Sequence, residues 1–283
     1  MFVLPLAERM IRRRLVSLGI ASQYHDTPQG RLHYYETRGD GDGPPLVILH
    51  GFGASGSSFA RVIALLRRRV GKIWVPEAPA HGFSSSANGR LTVDDAYAAM
   101  SHFLEARSRE PVILFGNSLG GAFAIRYALE HPGRVRGLLL ASPAGALLDA
   151  QDFAALTSSF RVRSLGQARD LLDRLYHEPP WYNRLLAPDI LRRFALGPLR
   201  HCLESFRPEH MFTPDELAAL QPPTLILWGR SERLLPSASL EFFRRAVPGH
   251  VRIEEPDEFG HCPYLDRPRA VADRIAAFVD ELR

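Results

Sequence analysis

Short, wholly apolar runs recur along the first half of this 283-residue chain. The runs are Leu46–Leu49, Ile73–Val75 and Val112–Phe115, and Val135–Ala141 is a fourth, mostly apolar run that contains Arg136. Such runs are typical of strands that are buried on both faces of a parallel sheet. Helical patterns separate them at residues 58–69, 91–105 and 122–131, so strand and helix alternate. This alternation predicts an α/β protein with a mostly parallel, doubly wound sheet.

The N-terminal part of the chain precedes this alternation. Residues 2–19 have the pattern of an amphipathic helix with a basic cluster at Arg12–Arg14, which makes residues 1–20 a separate N-terminal element. We expect the helix to pack on the body of the protein. The alternative is a weak contact with a membrane surface. Residues 21–26 and 31–36 are then predicted to form two strands joined by a turn.

The alternation stops after the fourth apolar run. From residue 143 to about residue 220 we find helical patterns and no strand pattern, and large aromatic residues such as Phe160 and Phe194 are frequent. We interpret residues 143–220 as an inserted helical cap over the strand ends. Most of its aromatic side chains are expected to form its own core, and some of them to line an apolar pocket.

Strand and helix patterns return after the predicted cap. Strands are expected at Thr224–Trp228 and residues 251–254, and helices at residues 237–246 and 267–282. The core of the protein is therefore predicted to consist of residues 21–142 and 221–283.

Composition excludes several classes of protein. The formal net charge is +4 and no dense basic stripe is present, so we expect no nucleic-acid partner. The two cysteines, Cys202 and Cys262, lie far apart and provide neither a disulfide framework nor metal-ligand spacing, and no cofactor is predicted. No stretch has the length of a transmembrane helix, and the first residues do not resemble a secretory signal. A cytoplasmic protein is the expectation; its oligomeric state cannot be deduced from these features.

The third apolar run leads into the sequence Gly116-Asn117-Ser118-Leu119-Gly120 and then into a helical pattern. A serine between a strand and a helix on so tight a turn projects its hydroxyl above the sheet. Glycines two residues before and after it avoid collisions with the neighbouring backbone. The N-terminus of the helix also favours developing negative charge. Ser118 is therefore the candidate nucleophile, and the alternative is a small-residue turn that only allows close packing.

A serine hydroxyl needs a base that accepts its proton, and the base needs an acid that orients it. His261 follows the last predicted strand on a loop that contains Gly260, and Glu232 follows the Thr224–Trp228 strand. We therefore predict that His261 is the base and Glu232 the acid. Asp149 is the reserve acid, and a solvated Glu232 paired with a neighbouring arginine is the alternative.

The other loops at the same edge of the sheet supply further candidates. The N–H groups of Phe52 and Leu119 are predicted to form an oxyanion hole. A phosphate-binding loop at His50–Gly56 is a weak alternative, because it has no G-x-G-x-x-G order and no P-loop lysine. His50 and His81 follow earlier strands, and we expect them to have structural or lining roles.

Together these motifs resemble the α/β-hydrolase superfamily, in its capped esterase and lipase-like branch. The resemblance covers residues 24–282 and rests on five motifs: His50–Gly53, His81–Ser84, Gly116–Gly121, Trp228–Pro236 and Gly260–His261. It implies the α/β-hydrolase fold, a Ser118–Glu232–His261 triad and no metal or organic cofactor. Two departures are present. The family more often has aspartate at the position of Glu232, and an aspartate followed by P-G-x-G where this chain has Glu77-Ala78-Pro79-Ala80.

Three functions remain open at this point. The first is hydrolysis of carboxylic esters of small molecules through an acyl-enzyme. The second is hydrolysis of a carbon–carbon bond in vinylogous diketones, because the Gly116–Gly121 motif also resembles enzymes that cleave ring-fission products. The third is a non-catalytic α/β-hydrolase that binds a ligand. Haloalkane dehalogenases and epoxide hydrolases are excluded, because their relatives carry aspartate at the position of Ser118.

Overall fold

An eight-stranded sheet forms the centre of the computed structural model, which describes residues 3–39 and 43–283. Its strands are β1 (Ala21–Thr27), β2 (Gly30–Glu36), β3 (Leu46–Leu49), β4 (Ile73–Pro76), β5 (Val112–Ser118), β6 (Val135–Pro143), β7 (Thr224–Leu227) and β8 (Arg252–Glu254). They lie in the order β1-β2-β4-β3-β5-β6-β7-β8. The β1–β2 and β2–β4 pairs are antiparallel, and the other pairs are parallel. The predicted mostly parallel sheet is confirmed.

Helices connect the strands and cover the sheet. In the described ranges they are α1 (Val3–Ser17), α2 (Ala60–Leu66), α3 (Val93–Arg107), α4 (Leu119–Glu130), α5 (Ala150–Ser159), α6 (Leu165–Arg174), α7 (Asn183–Ala195), α8 (Gly197–Ser205), α9 (Pro214–Ala218), α10 (Ser237–Ala246), α11 (Pro263–Asp266) and α12 (Pro268–Glu281). The helix predicted at residues 58–69 is shorter, because a 3₁₀ turn over Gly56–Phe59 precedes α2. None of these helices combines the length and the apolar character needed to cross a bilayer.

Successive side chains of the central strands enter two different cores. In β3, Val47 and Leu49 pack on the side of α3 and α4, whereas Leu46 and Ile48 pack on the side of α2 and α12. Strand side chains alternate between faces, and helices cover both faces of this sheet. Both sets of positions must therefore be apolar, which explains the uninterrupted apolar runs in the sequence.

The chain between β6 and β7 is helical, as its pattern predicted. It contains α5 to α9 and one isolated β-bridge between Ala146 and Phe212, and all of its residues are described. We call residues 144–223 the insert. Leu171 of α6 and Ala187 of α7 share a small apolar core that includes Leu234 from the loop after β7. That the insert serves as a cap stays a prediction.

The N-terminal helix packs on the body of the protein through one face. Leu15 is buried in the sheet core, and Glu8 is buried against Arg193 of α7, with 2.8 Å between Oε1 and Nη2. The same Oε1 accepts a hydrogen bond from the hydroxyl of Ser55 at 3.1 Å. Phe2, the first residue of the predicted helix, lies outside the described residues.

Candidate active site

Ser118 lies where β5 ends and α4 begins. Its backbone has φ 53° and ψ −121°, a conformation that costs free energy for an L-residue and must be held by its surroundings. Two glycines make room for it. A Cβ at residue 116 would collide with the carbonyl oxygen of Gly120, and a Cβ at residue 120 would collide with that of Leu49. The tight strand-to-helix turn expected from the sequence is thus present.

His261 and Glu232 meet at the same end of the sheet. His261 lies on the loop after β8 and Glu232 on the loop after β7. Nδ1 of His261 lies 2.8 Å from Oε2 of Glu232, and both side chains are almost fully buried. The other oxygen, Oε1, accepts hydrogen bonds from the N–H groups of Leu234 at 2.7 Å and Leu235 at 3.0 Å. These two bonds hold the carboxylate in place beside the imidazole.

The ionised form of Glu232 is stabilised despite its burial. Burial by itself raises the pKa of this carboxyl group, because it disfavours the charge. The neighbouring charge and hydrogen bond of His261, together with the N–H of Leu235, outweigh that effect and lower the pKa below its usual value. Glu232 can therefore orient His261 and stabilise a positive charge on it.

The structure shows neither of the two alternatives for the acid, which were a Glu232 paired with a neighbouring arginine and Asp149 in its place. Arg230 pairs with Asp257, and Arg233 donates to backbone oxygens that include that of His177. Asp149 is exposed and caps the N-terminus of α5, where its side chain accepts the N–H of Asp152 at 2.8 Å. Of the two candidate acids, the structure places only Glu232 against His261.

Asn117 links the serine turn to the histidine loop, and sequence reasoning assigned it no role. Its Nδ2 donates to the carbonyl oxygens of His261 at 2.8 Å and Ala141 at 2.9 Å. The hydroxyl of Tyr264 donates to Oδ1 of Asn117 at 3.1 Å. The residue before Ser118 therefore holds the backbone of His261, the candidate base. The sequence signal for such a role was the position of Asn117 beside Ser118 in the Gly116–Gly120 motif. Its partner His261 lies 144 residues away along the chain, so the motif alone did not reveal the contact.

Cys262 follows His261 directly but has the properties of a structural residue. Its thiol is buried, and its Sγ lies 3.3 Å from the hydroxyl oxygen of Tyr264. Burial raises the pKa of the thiol to about 12, so the reactive thiolate is scarce at neutral pH. Ser118 therefore stays the candidate nucleophile at this edge of the sheet.

The loop that carries Phe52 lies directly beside the serine. A Cβ at residue 51 would lie 3.1 Å from the Cβ of Ser118, so any other residue here would require the loop or the serine turn to shift by a few tenths of an ångström. The N–H of Gly53 is already used, because it donates to Nε2 of His81 at 3.0 Å. Leu119 is the first residue of α4, where an N–H has no acceptor within the helix. These positions are consistent with an oxyanion hole formed by Phe52 and Leu119, which stays a prediction.

The sequence predicted a role only for the N–H group of Phe52, but its ring also makes contacts in the structure. It packs edge-to-face against the insert, with ring centroids 5.6 Å from Phe160, 5.6 Å from Phe194 and 6.2 Å from Phe206. Aromatic contacts of this geometry add to the stabilisation from burial. Phe52 therefore connects the loop beside Ser118 to the insert.

His50 and His81 have the structural roles expected of them. Nε2 of His50 accepts the N–H of Ala78 at 3.0 Å, and His81 accepts that of Gly53. Burial lowers the pKa of both side chains, to about 3 for His81. Both are therefore neutral hydrogen-bond acceptors that hold the loops around the site.

We expect His81 to make the protein less stable at pH 5 than at pH 7. The pKa of about 3 in the folded state lies below the ordinary value of 6.5, so between these values only the unfolded chain binds the proton. The stability due to neutral His81 is complete above pH 6.5 and is lost as the pH falls toward 3. At about 1.4 kcal/mol per pH unit, the loss at pH 5 is about 2 kcal/mol.

Urea unfolding at both pH values measures this loss. His81→Gln should show a smaller difference between pH 7 and pH 5 than the wild type does. His250→Gln, which changes an exposed histidine, is the matched control and should behave like the wild type. An equal pH dependence in all three proteins would contradict the assignment.

Glu77 occupies the position where the sequence departs from the family pattern. Its Oε1 accepts the N–H of Gly56 at 3.0 Å, and its Oε2 accepts that of Phe83 at 2.7 Å. Oε2 also lies 2.9 Å from Nδ1 of His33, and both of these side chains are fully buried. The carboxylate of Glu77 thus connects the loop that contains Gly56 with the loop that contains Phe83.

Ser118 and His261 line one apolar cavity of 470 Å³, which we call the Ser118 cavity. Part of its apolar wall comes from α1, α6, α7 and the residue before α7, with Leu4, Ile11, Leu171, Leu172, Tyr182, Leu186, Ile190 and Phe194. A second cavity, of 610 Å³, is lined by Leu119, Phe206 and Phe212 but by neither Ser118 nor His261. Of these two cavities, the first alone is lined by the candidate nucleophile and the candidate base.

Comparison with a family model gives a match to the Alpha/beta hydrolase family over residues 46–274. A curated relative, the pimeloyl-[acyl-carrier protein] methyl ester esterase of Xylella fastidiosa, is 27% identical over 262 residues, which are 86% of this chain and 97% of that protein. Lipase 1 of Psychrobacter immobilis is 24% identical over 258 residues, 86% of this chain and 79% of that protein.

Solved structures agree with the fold. The crystal structure of a membrane phospholipase A, described as a bacterial virulence factor, has a TM-score of 0.83 and 26% sequence identity. The match covers 99% of this chain and 91% of that chain. The two chains therefore share their architecture along almost their whole length.

Proposed function

Because this chain belongs to the alpha/beta hydrolase family, we propose that it is a serine hydrolase that cleaves carboxylic esters through an acyl-enzyme. One observation carries the proposal. Ser118 on its strained turn and His261 against the buried Glu232 line the same apolar cavity. The esterase and lipase relatives support hydrolysis of esters as the class of reaction.

The proposed reaction begins with attack of Ser118 on the acyl carbon. His261 accepts the hydroxyl proton at Nε2, because its Nδ1 faces Glu232. The carboxylate of Glu232 then stabilises the imidazolium that forms. The lowered pKa of Glu232 keeps it ionised for this task.

The oxygen of the attacked carbonyl group becomes negatively charged in the tetrahedral intermediate. We assign its stabilisation to the N–H groups of Leu119 and Phe52. When the intermediate collapses, His261 protonates the leaving alcohol and the acyl group stays on Ser118. Water, activated by His261, then attacks the acyl-enzyme, and the carboxylic acid and the free serine are released.

The lining of the Ser118 cavity indicates an ester with an apolar part. Its volume of 470 Å³ lies in the range of small-molecule sites. In this proposal the insert acts as the cap, because α6 and α7 supply much of the wall. A substrate with a longer acyl chain would cover more of the apolar surface.

We expect kcat/KM to rise about tenfold or more from p-nitrophenyl acetate to p-nitrophenyl octanoate. Each buried methylene group contributes about 0.8 kcal/mol when it leaves water. Initial rates with acetate, butyrate, octanoate and palmitate esters measure the profile. A fluorophosphonate probe tests the activated serine independently of the substrate.

Other outcomes would favour the alternatives. Labelling by the probe without ester turnover, but with cleavage of a ring-fission dienoate, would identify a carbon–carbon bond hydrolase. No labelling and no turnover of either substrate would leave a ligand-binding protein. Turnover of the esters with a flat profile would show that the acyl chain does not enter the Ser118 cavity.

A further inference from the structure

Exposed apolar side chains are concentrated on α1 and on the start of α7. Of the eleven large apolar side chains that are exposed among the described residues, seven lie there: Val3, Leu6, Met10, Val16, Trp181, Tyr182 and Leu185. The exposed fraction reaches 60% for Met10 and 80% for Trp181. Single exposed apolar residues are common, but such a concentration marks an interaction surface.

Hydrogen bonds and an ion pair join α1 to α7. Asp189 of α7 accepts the N–H groups of Val3 at 2.8 Å and Leu4 at 3.0 Å, at the N-terminus of α1 where a negative charge is favourable. The ion pair between Glu8 and Arg193 joins the same helices further along. Their exposed residues therefore belong to one surface, which we call the α1/α7 surface.

This surface lies next to the Ser118 cavity. Leu4 and Ile11 of α1 line that cavity from one side, and Leu186 of α7 lines it as well. Tyr182 is both exposed and part of the cavity wall. The outer sides of the helices are thus apolar and exposed, while their inner sides enclose the candidate active site.

The α1/α7 surface is also positively charged. Arg9, Arg13, Arg14 and Arg184 are exposed, and none of them has an ion-pair partner within residues 3–39 and 43–283. The only acidic residue of α1 is Glu8, which is buried and paired with Arg193. Apolar side chains flanked by unpaired arginines are typical of helices that lie in the plane of an anionic membrane surface.

We propose that the α1/α7 surface docks on an anionic lipid bilayer. Leu6, Met10 and Trp181 would enter the boundary between headgroups and acyl chains, and the arginines would face the lipid phosphates. Docking places the Ser118 cavity beside the lipid. That membrane-dissolved esters enter the cavity from there rests on the proposed function; the docking itself does not.

Vesicle co-sedimentation tests the docking. The full chain with Ser118→Ala is mixed with vesicles of phosphatidylcholine alone or with phosphatidylglycerol, at low and high salt. We expect binding only to the anionic vesicles, and weaker binding at high salt. Exchange of Arg9, Arg13 and Arg14 for glutamine should weaken binding about 100-fold, at roughly tenfold or less for each charge.

Matched variants separate docking from general surface changes. Leu6→Ser with Met10→Ser should weaken vesicle binding about tenfold or more. Leu147→Ser with Leu165→Ser changes two exposed leucines elsewhere and should leave binding unaltered. Made with Ser118 intact, the arginine variant and both double variants should keep the wild-type rate with water-soluble p-nitrophenyl acetate.

The results that would overturn the docking differ from those that would overturn the proposed function. The docking would be overturned if the protein with an unaltered α1/α7 surface did not bind anionic vesicles. It would also be overturned if the Leu6→Ser, Met10→Ser variant bound them as strongly as the Leu147→Ser, Leu165→Ser variant does. Self-association that disappears in Leu6→Ser with Met10→Ser, without vesicle binding, would assign the surface to a second copy of the chain. Vesicle binding together with an inactive wild type would overturn the proposed ester hydrolysis only.

Discussion

Replacement of Ser118 by alanine should abolish ester hydrolysis and leave the fold intact. The hydroxyl group is the atom that forms the bond to the acyl carbon, so its removal eliminates the acyl-enzyme route. We expect kcat/KM to fall on the order of 10⁴-fold or more. Alanine keeps the Cβ that the turn already accommodates, so the free energy of unfolding should change little.

Turnover of p-nitrophenyl butyrate and labelling by the fluorophosphonate probe measure this loss. Ser58→Ala is the matched control, because Ser58 lines the same cavity but carries no proposed chemistry. It should retain turnover within about twofold. If Ser118→Ala kept wild-type turnover, the assignment of the nucleophile would be wrong.

Replacement of Glu232 by glutamine should lower kcat by about 10³- to 10⁴-fold. The carboxylate accepts from Nδ1 of His261, whereas the amide of glutamine can donate and so favour the wrong tautomer. The imidazolium also loses its negative partner. Burial of both side chains strengthens these effects, because little water is present to screen them.

Asp149→Asn is the matched control for this loss. Asparagine is as good an N-cap as aspartate, so α5 should stay intact and turnover should remain within about twofold. Equal losses in both variants would indicate a general effect of acidic residues. A loss in Asp149→Asn with an active Glu232→Gln would reverse the assignment of the acid.

The wild type and Glu232→Gln should also differ in how the free energy of unfolding depends on pH. The pKa of Glu232 is lowered by folding, so its ionised form stabilises the protein above the ordinary value of 4.5. That contribution is lost as the pH falls through the folded-state pKa. The difference in unfolding free energy between the wild type and Glu232→Gln should therefore shrink below pH 4.5. A constant difference would argue against an ionised Glu232.

Much of the architecture could be predicted because it depends on short segments. A parallel strand covered by helices on both faces must be apolar where it crosses the core, and β3 and the first four residues of β5 show this directly in the sequence. The turn at Ser118 is also local. Its strain and its close backbone contacts require Gly116 and Gly120, which lie within two residues of it.

The choice of acid could not be made in the same way. Glu232 was predicted as the acid and Asp149 as the reserve, but both follow strands and neither loop contains a feature that tests the choice. Glu232 is selected by its contact with His261, whose loop lies 29 residues further along the chain. The hydrogen bonds from Asn117 to the His261 carbonyl and from the Gly56 N–H to Glu77 also join different loops, so a single loop does not reveal them.

The sequence by itself determined the parallel sheet, the helical insert and the serine turn, because sterics and side-chain periodicity act within a few residues. Only the tertiary structure decided how the loops meet and which cavity contains Ser118. It also decided that α1 packs through Leu15 and Glu8 while Leu6 and Met10 remain exposed. An amphipathic pattern shows that a helix has two faces. Which face is covered depends on long-range contacts such as the one between Glu8 and Arg193.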